Sequence, residues 1–155
     1  MERDVLIGLR DLLSSSRVLS LAVIIEGEAE AALLAFVARD DFAAVYVQAS
    51  GLARHSRGLM AGSRVGVLVH APDMPDADPM QLPRLTVHAV VSVLAREPAE
   101  FTAAADRFAD RFPAARMTLA MDDFTLYELT LGRGRYVEGF ARAFDVGTFG
   151  QLSGF

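Results

Sequence analysis

Val5, Leu6, Leu9, Leu12 and Leu13 recur at helical spacing, with Arg3, Asp4, Arg10 and Asp11 between them. This pattern predicts an amphipathic helix over residues 2–16 that stops at Ser14-Ser15-Ser16. Residues 18–25, Val-Leu-Ser-Leu-Ala-Val-Ile-Ile, form a nearly continuous apolar run and predict a strand buried on both faces. Gly27 turns the chain, 31–39 reads as a second strand, Asp40-Asp41 as a turn and 43–48 as a third strand. Connections this short favour antiparallel hairpins. Ser50 opens a short helix to about residue 61, and 64–70 is a fourth strand. Residues 71–83 carry Pro72, Pro75, Pro79 and Pro83 and read as an irregular loop. Residues 84–94 form a fifth strand. Pro98 occupies a first helical position ahead of the stripe Phe101, Ala105, Phe108 and Phe112. Residues 124–131 form a sixth strand, and Gly132-Arg133-Gly134 turns into an extended piece over 136–140. The tail has Phe144, Phe149 and Phe155, too apolar to hang in water, and is expected to pack against a second copy of the chain.

These elements predict a mainly β fold: a small six-stranded antiparallel barrel with flanking helices. One domain over 1–155 accounts for the chain, with a helix at 2–16, a barrel at 18–140 and a tail at 141–155. The length suits one domain, and a hydrophobic content of 52% excludes a disordered chain. Cysteine is absent, which excludes disulfide frameworks, zinc ribbons and thiol catalysis. All 15 basic residues are arginine, so neither a Schiff-base lysine nor a P-loop lysine exists. A net charge of −5 argues against broad nucleic-acid binding. The longest apolar run is far below the roughly 18 residues of a membrane helix, and the charged start, Met1-Glu2-Arg3-Asp4, is unlike a signal peptide. A soluble, cytoplasmic protein is expected.

The stretch Ser50-Gly51-Leu52-Ala53-Arg54-His55-Ser56-Arg57-Gly58-Leu59 carries the most chemistry. Arg54, His55 and Arg57 crowd the first turns of a predicted helix, where each cation opposes the dipole by about 0.3–1 kcal/mol. An anion held between the arginines and the free N–H groups explains that placement; a solvated face with three exposed bases satisfies the same pattern. In the fifth strand, alternation puts Arg84, Thr86 and His88 on one face and Leu85 and Val87 on the other. That row suits either the polar edge of a flat ligand or plain solvent. His55, His70 and His88 lack metal-ligand spacing, and Asp73, Asp76 and Asp78 lack the pattern of a calcium loop, so no metal site is expected. Asp122-Asp123 reads as a turn before the sixth strand. No nucleophile elbow, kinase motif set or dedicated acid–base pair occurs.

The order of these segments resembles the FMN-binding split barrel of the pyridoxamine 5′-phosphate oxidase-like proteins, in the branch related to haem-utilisation proteins. The residues that carry the resemblance are Ser50 to Leu59, Pro83-Arg84-Leu85-Thr86, Asp123-Phe124-Thr125-Leu126-Tyr127 and Gly139-Phe140-Ala141-Arg142-Ala143, within 18–146. The resemblance implies a split barrel, with Arg54 and His55 on the FMN phosphate, Ser50 and Ser56 as hydroxyl donors, and Arg84 and Thr86 beside the isoalloxazine. It implies a homodimer with each flavin at the subunit interface, acting as an oxidoreductase on a small molecule of unknown identity. Haem binding or degradation on the same barrel is the alternative, although no histidine follows His88, where such relatives carry an axial ligand beyond the barrel. A cofactor-free binding module is a third reading. The chain departs from the family pattern at Gly58, where an asparagine is usual, at Glu138 and Ala141, and in residues 32–36, which lack the arginine of true oxidases. Efficient oxidation of pyridoxamine 5′-phosphate is therefore not expected.

Overall fold

A computed structural model describes residues 1–96 and 99–155. Its strands are β1 (Val18–Ile25), β2 (Glu28–Ala35), β3 (Val37–Ala38), β4 (Ala44–Ser50), β5 (Arg64–His70), β6 (Arg84–Leu94), β7 (Phe124–Gly139) and β8 (Arg142–Val146). They form one antiparallel sheet in the order β2-β1-β5-β6-β7-β4-β3, with β8 pairing β7. The two outermost strands of that order, β2 and β3, are consecutive in the chain, separated only by Phe36. The same segment therefore lies at both ends of the sheet, and the sheet curls round on itself. Two strands beyond the expected six are β3, only two residues long, and β8, which lies in the apolar tail.

Alternation fixes the interior. Leu19, Leu21, Val23 and Ile25 of β1, Val65, Val67 and Val69 of β5, and Leu85, Val87, Ala89 and Val91 of β6 all point into one core. The bounds of β5 and β6 are those the pattern predicts. β1 is not buried on both faces, however: Val18, Ala22 and Ile24 turn outward, with Ile24 63% exposed. The strand covered on both faces is β4. Its Val45, Val47 and Ala49 enter the barrel core, while Tyr46 enters a second cluster outside it.

That second cluster is built by two helices lying on the barrel's outer wall. The wall gives Val37, Tyr46 and Leu126; α2 (Ala99–Arg111) gives Ala104 and Phe108; α3 (Ala115–Leu119) gives Ala115. Phe101 and Phe112 of the expected stripe pack against it, and the rings of Phe108 and Phe112 stand 5.1 Å apart. The expected role of Pro98 lies outside the described residues. At the N-terminus, α1 (Arg3–Ser15) buries Val5, Leu6, Leu9, Leu12 and Leu13 in the barrel core.

One expectation fails here and another is narrowed, both for physical reasons. Gly132-Arg133-Gly134 makes no hairpin, because β7 continues through it as one strand of 16 residues, with a bulge at Gly132 and Arg133. Gly134 is needed for close approach: a Cβ there would lie 2.7 Å from the Thr86 carbonyl oxygen and 2.9 Å from Val87 Cβ. The tail, in turn, serves its own barrel. Phe149 and Leu152 are buried in the core, the latter on a short 3₁₀ helix (Gly150–Gly154) beside α1, and the Arg3 guanidinium lies over the Phe155 ring at 5.8 Å. Thus Phe149 and Leu152 close one end of the barrel, while Phe144 is half-buried and Phe155 exposed.

Because Gly134 faces backbone that cannot swing away, Gly134→Ala is expected to cost about 1–3 kcal/mol, the usual penalty of overpacking. Urea unfolding measures it, and an unchanged midpoint refutes the close approach. Leu152→Ala should cost about 2–5 kcal/mol, as for a fully buried leucine. A loss below about 0.5 kcal/mol, typical of surface sites, shows the tail to be undocked.

Candidate functional site

The expected helix from Ser50 to about residue 61 is a single 3₁₀ turn, Arg54–Gly58, with Ala53 at its N-cap; Ser50 instead ends β4. The two serines act as pegs. Ser56 Oγ donates to the Ser50 carbonyl at 2.6 Å, and Ser50 Oγ donates to the Asp123 carboxylate while accepting from the Leu52 N–H at 3.1 Å. The Gly51 N–H donates to the Asp123 carbonyl at 2.8 Å, so Asp123 anchors the start of the turn twice over. At its other end Gly58 lies on Val23 of β1. A Cβ on Gly58 would stand 2.6 Å from Val23 Cβ, which explains why the asparagine of the family pattern has no place here.

The cations of this turn meet acids of the β1–β2 hairpin. Arg54 Nε and Nη2 both reach Glu30 Oε1 at 2.6 Å, and Arg57 pairs with Glu26. The hydrogen bond from Arg54 holds the Glu30 carboxyl below its ordinary range, and the same bond raises the Arg54 pKa. His55 is different: its Nε2 is shut off from solvent without a hydrogen-bond partner among the described residues, and burial lowers its pKa. A buried ring nitrogen left unpaired is costly, and a ligand oxygen arriving at that atom would relieve the cost.

The strand residues lie elsewhere. Arg84 Nη1 donates to the carbonyls of Met80 at 2.9 Å and Leu82 at 3.1 Å, so its head ties down the end of the proline-bearing loop. Thr86 and His88 are exposed, as alternation requires. The β6–β7 register slips between Val87 and Ala89, where Gly132 and Arg133 of β7 oppose His88 alone, so the bulge lies on β7 beside His88; bulges re-aim side chains. Registers Ser20↔Leu68↔Thr86 and Ala22↔Gly66↔His88 set these residues in rows across β1, β5 and β6. β2 extends the rows with Leu33 and Ala31. The result is a shelf on the outer wall floored by Ala31, Ala22 and Gly66, with Leu33, Leu68 and Ile24 around it and Thr86 and His88 at one edge. Beside His88, Arg64 and Arg133 line an open hollow of about 560 Å³, and neither arginine is paired with an acid among the described residues.

The six residues expected at the site therefore fall into separate places. Ser50, Arg54, His55 and Ser56 gather at the 3₁₀ turn, which packs on Val23, a residue of the core face of β1. Thr86 shares the opposite, outer face, and Arg84 is engaged with the loop. Glu30, Glu26, Asp123, Arg64 and Arg133 join the two clusters without having been singled out from sequence. The alternation of Arg84, Thr86 and His88 pointed to the polar edge of the shelf, and that of Arg64-Val65-Gly66-Val67-Leu68 is the signal that could have added its floor.

No protein-family model and no curated protein matches the chain. Solved structures do. The haem-binding protein from Mycobacterium smegmatis is 25% identical, over 99% of this chain and 61% of that one, with a TM-score of 0.83. The chain thus spans less than two thirds of that protein. An FAD-binding protein from Mesorhizobium loti is 14% identical over 80% of this chain and 87% of its own, with a TM-score of 0.62. A protein from Clostridium acetobutylicum, related to general stress protein 26 and of the pyridoxinephosphate oxidase family, is 13% identical over 95% of this chain and 96% of its own, at 0.69. The chain has the split-barrel fold, and its neighbours match the family and the haem-related branch that the sequence resembles. Among the described residues no helix is long and apolar enough to cross a membrane.

Because burial holds the His55 pKa below its ordinary 6.5, the ring is neutral at pH 7. The unfolded chain takes up the proton near 6.5 and the folded chain resists it, so stability should decline as pH falls below that value. Proton NMR of the imidazole checks this, and a His55 midpoint at or above 6.5 overturns it.

Proposed function

We propose that the protein binds FMN at an interface between two copies of itself and works as a flavin-dependent oxidoreductase. The observation that carries this reading is the shelf. Ala31, Ala22 and Gly66 leave a flat, open surface with little side-chain relief, bordered by apolar side chains and edged by the hydroxyl and imidazole of Thr86 and His88. Such a surface suits a planar ring with one polar edge. The 3₁₀ turn supplies what a phosphate needs: a guanidinium able to give two parallel hydrogen bonds and, in His55 Nε2, a buried polar atom without a partner.

Shelf and turn lie on opposite faces of β1, so one chain does not present both to one ligand. A second copy, laid against the exposed apolar residues of the outer wall, removes that obstacle by offering its turn to the first copy's shelf. Closed two-fold assembly is the commonest way for like chains to pair. When bound, the flavin supplies the redox chemistry, and the protein supplies orientation and electrostatics. The substrate class is a small molecule reaching the flavin's exposed side.

A second reading, haem, is favoured by one specific feature. His88 is exposed on the outer wall, opposite the β7 bulge, in the hollow that Arg64 and Arg133 also line, and neither arginine is paired with an acid among the described residues. An imidazole flanked by cations suits an iron porphyrin with anionic propionates.

The absorbance spectrum of protein mixed with each cofactor separates the two. Flavin titration of Arg54→Ala should show roughly 10- to 100-fold weaker FMN binding, the range for one lost hydrogen bond to a charged group, with circular dichroism unchanged. Light scattering should give a dimer mass. FMN bound equally by Arg54→Ala refutes the phosphate site; a Soret band lost in His88→Ala establishes haem instead.

A further inference from the structure

The cations of the 3₁₀ turn are already engaged. Arg54 is held by Glu30, Arg57 by Glu26, and the Ser50 hydroxyl by Asp123. The backbone that carries the two glutamates is also fixed in place. Glu26 and Gly27 both have positive φ, 53° and 80°, as in the tight two-residue turns that match the twist of paired strands. The turn pins Glu28 and Glu30 onto β2, and Glu30 stands directly across from Val23, the residue on which Gly58 of the 3₁₀ turn rests. The side chain of Glu30 is the better buried of its pair, at 25% exposed against 63% for Arg54. The acid is thus the fixed partner and the arginine the mobile one.

We infer that Glu30 is a built-in competitor for the anion site: its carboxylate occupies Arg54 until a phosphate monoester displaces it. This rests on the reading of the turn as the phosphate site. A phosphate near its dianionic form offers Arg54 more charge and more acceptor oxygens than one carboxylate, so it can win the guanidinium. It then lies near a carboxylate that cannot retreat with the arginine, and that repulsion lowers its affinity. Glu30 therefore tunes selectivity as well as strength. Weak monoanions fail to open the pair, whereas a dianionic phosphate on a ligand that also gains from the shelf succeeds. Glu30 is a specificity-determining residue for phosphorylated over unphosphorylated ligands.

The test is flavin fluorescence titration with FMN and with riboflavin, which has the same ring and no phosphate. Parent, Glu30→Gln, Arg54→Ala, the double variant and Glu26→Gln are compared, with circular dichroism to confirm folding. Glu30→Gln should tighten FMN about three- to fivefold, the upper range for an exposed ion pair that ceases to compete, and leave riboflavin unchanged. The gain should vanish in the double variant, since it acts through Arg54, and should be smaller in Glu26→Gln, which frees Arg57 instead. FMN bound equally by parent and Glu30→Gln overturns the competitor role while the cofactor reading stands. An equal gain for riboflavin assigns the effect to packing and also overturns it. If neither folded protein binds FMN, the cofactor reading falls and the competitor role falls with it.

Discussion

One segment, residues 28–38, lies at both ends of the sheet, and most of the molecule follows from that. β2 pairs with β1, and after a single residue β3 pairs with β4. A sheet tied at both ends by the same stretch of chain must curl, and a curled sheet has an inside and an outside. Strand alternation then sorts each side chain to one or the other. The interior is filled by aliphatic residues together with Phe36, Tyr127, Tyr136 and Phe149, with no buried charged residue among those described. Recognition chemistry is left to the outer wall and the ends, where the shelf and the 3₁₀ turn are found.

The sequence was most legible where alternation is clean. β5 and β6 alternate apolar with polar or small residues, and their bounds could be written down at once. β1 misled because its outward positions hold Val18, Ala22 and Ile24, so an amphipathic strand resembles a fully buried one. That apolar outward row is itself part of the shelf's surroundings. β7 misled for the opposite reason. Gly-Arg-Gly is the local signature of a turn, but Gly134 is demanded by the nearness of the Thr86 carbonyl, a tertiary fact invisible to local pattern. The candidate site was legible in composition and not in arrangement. The crowd of cations at 54–57 was plain, whereas the Arg54–Glu30 pair joins residues 24 apart in the chain and depends on strand register. Asp123, read as part of a turn, anchors one through Ser50.

The anion site proposed at the turn sits in a net-acidic chain, and its cations are compensated locally. Arg54 and Arg57 are each matched to an acid of the neighbouring hairpin, and the burial of His55 keeps its ring uncharged. With no ligand present the region therefore holds little uncompensated positive charge. Full neutralisation of exposed cations weakens long-range attraction for polyanions, in keeping with a site for one small ligand.

The docking of the tail against α1 also constrains how the chain comes to its final shape. The first helix and the final 3₁₀ turn are neighbours, and Leu152 fills a core that β1 began to outline more than a hundred residues earlier. Residues 149–152 join β3, β5 and β7 as partners of the apolar face of α1, and they follow that helix in the chain by more than 130 residues. Contacts of such long sequence separation slow folding and prolong the exposure of apolar surface. The barrel is thus completed by residues that lie far along the chain from its first helix and strand.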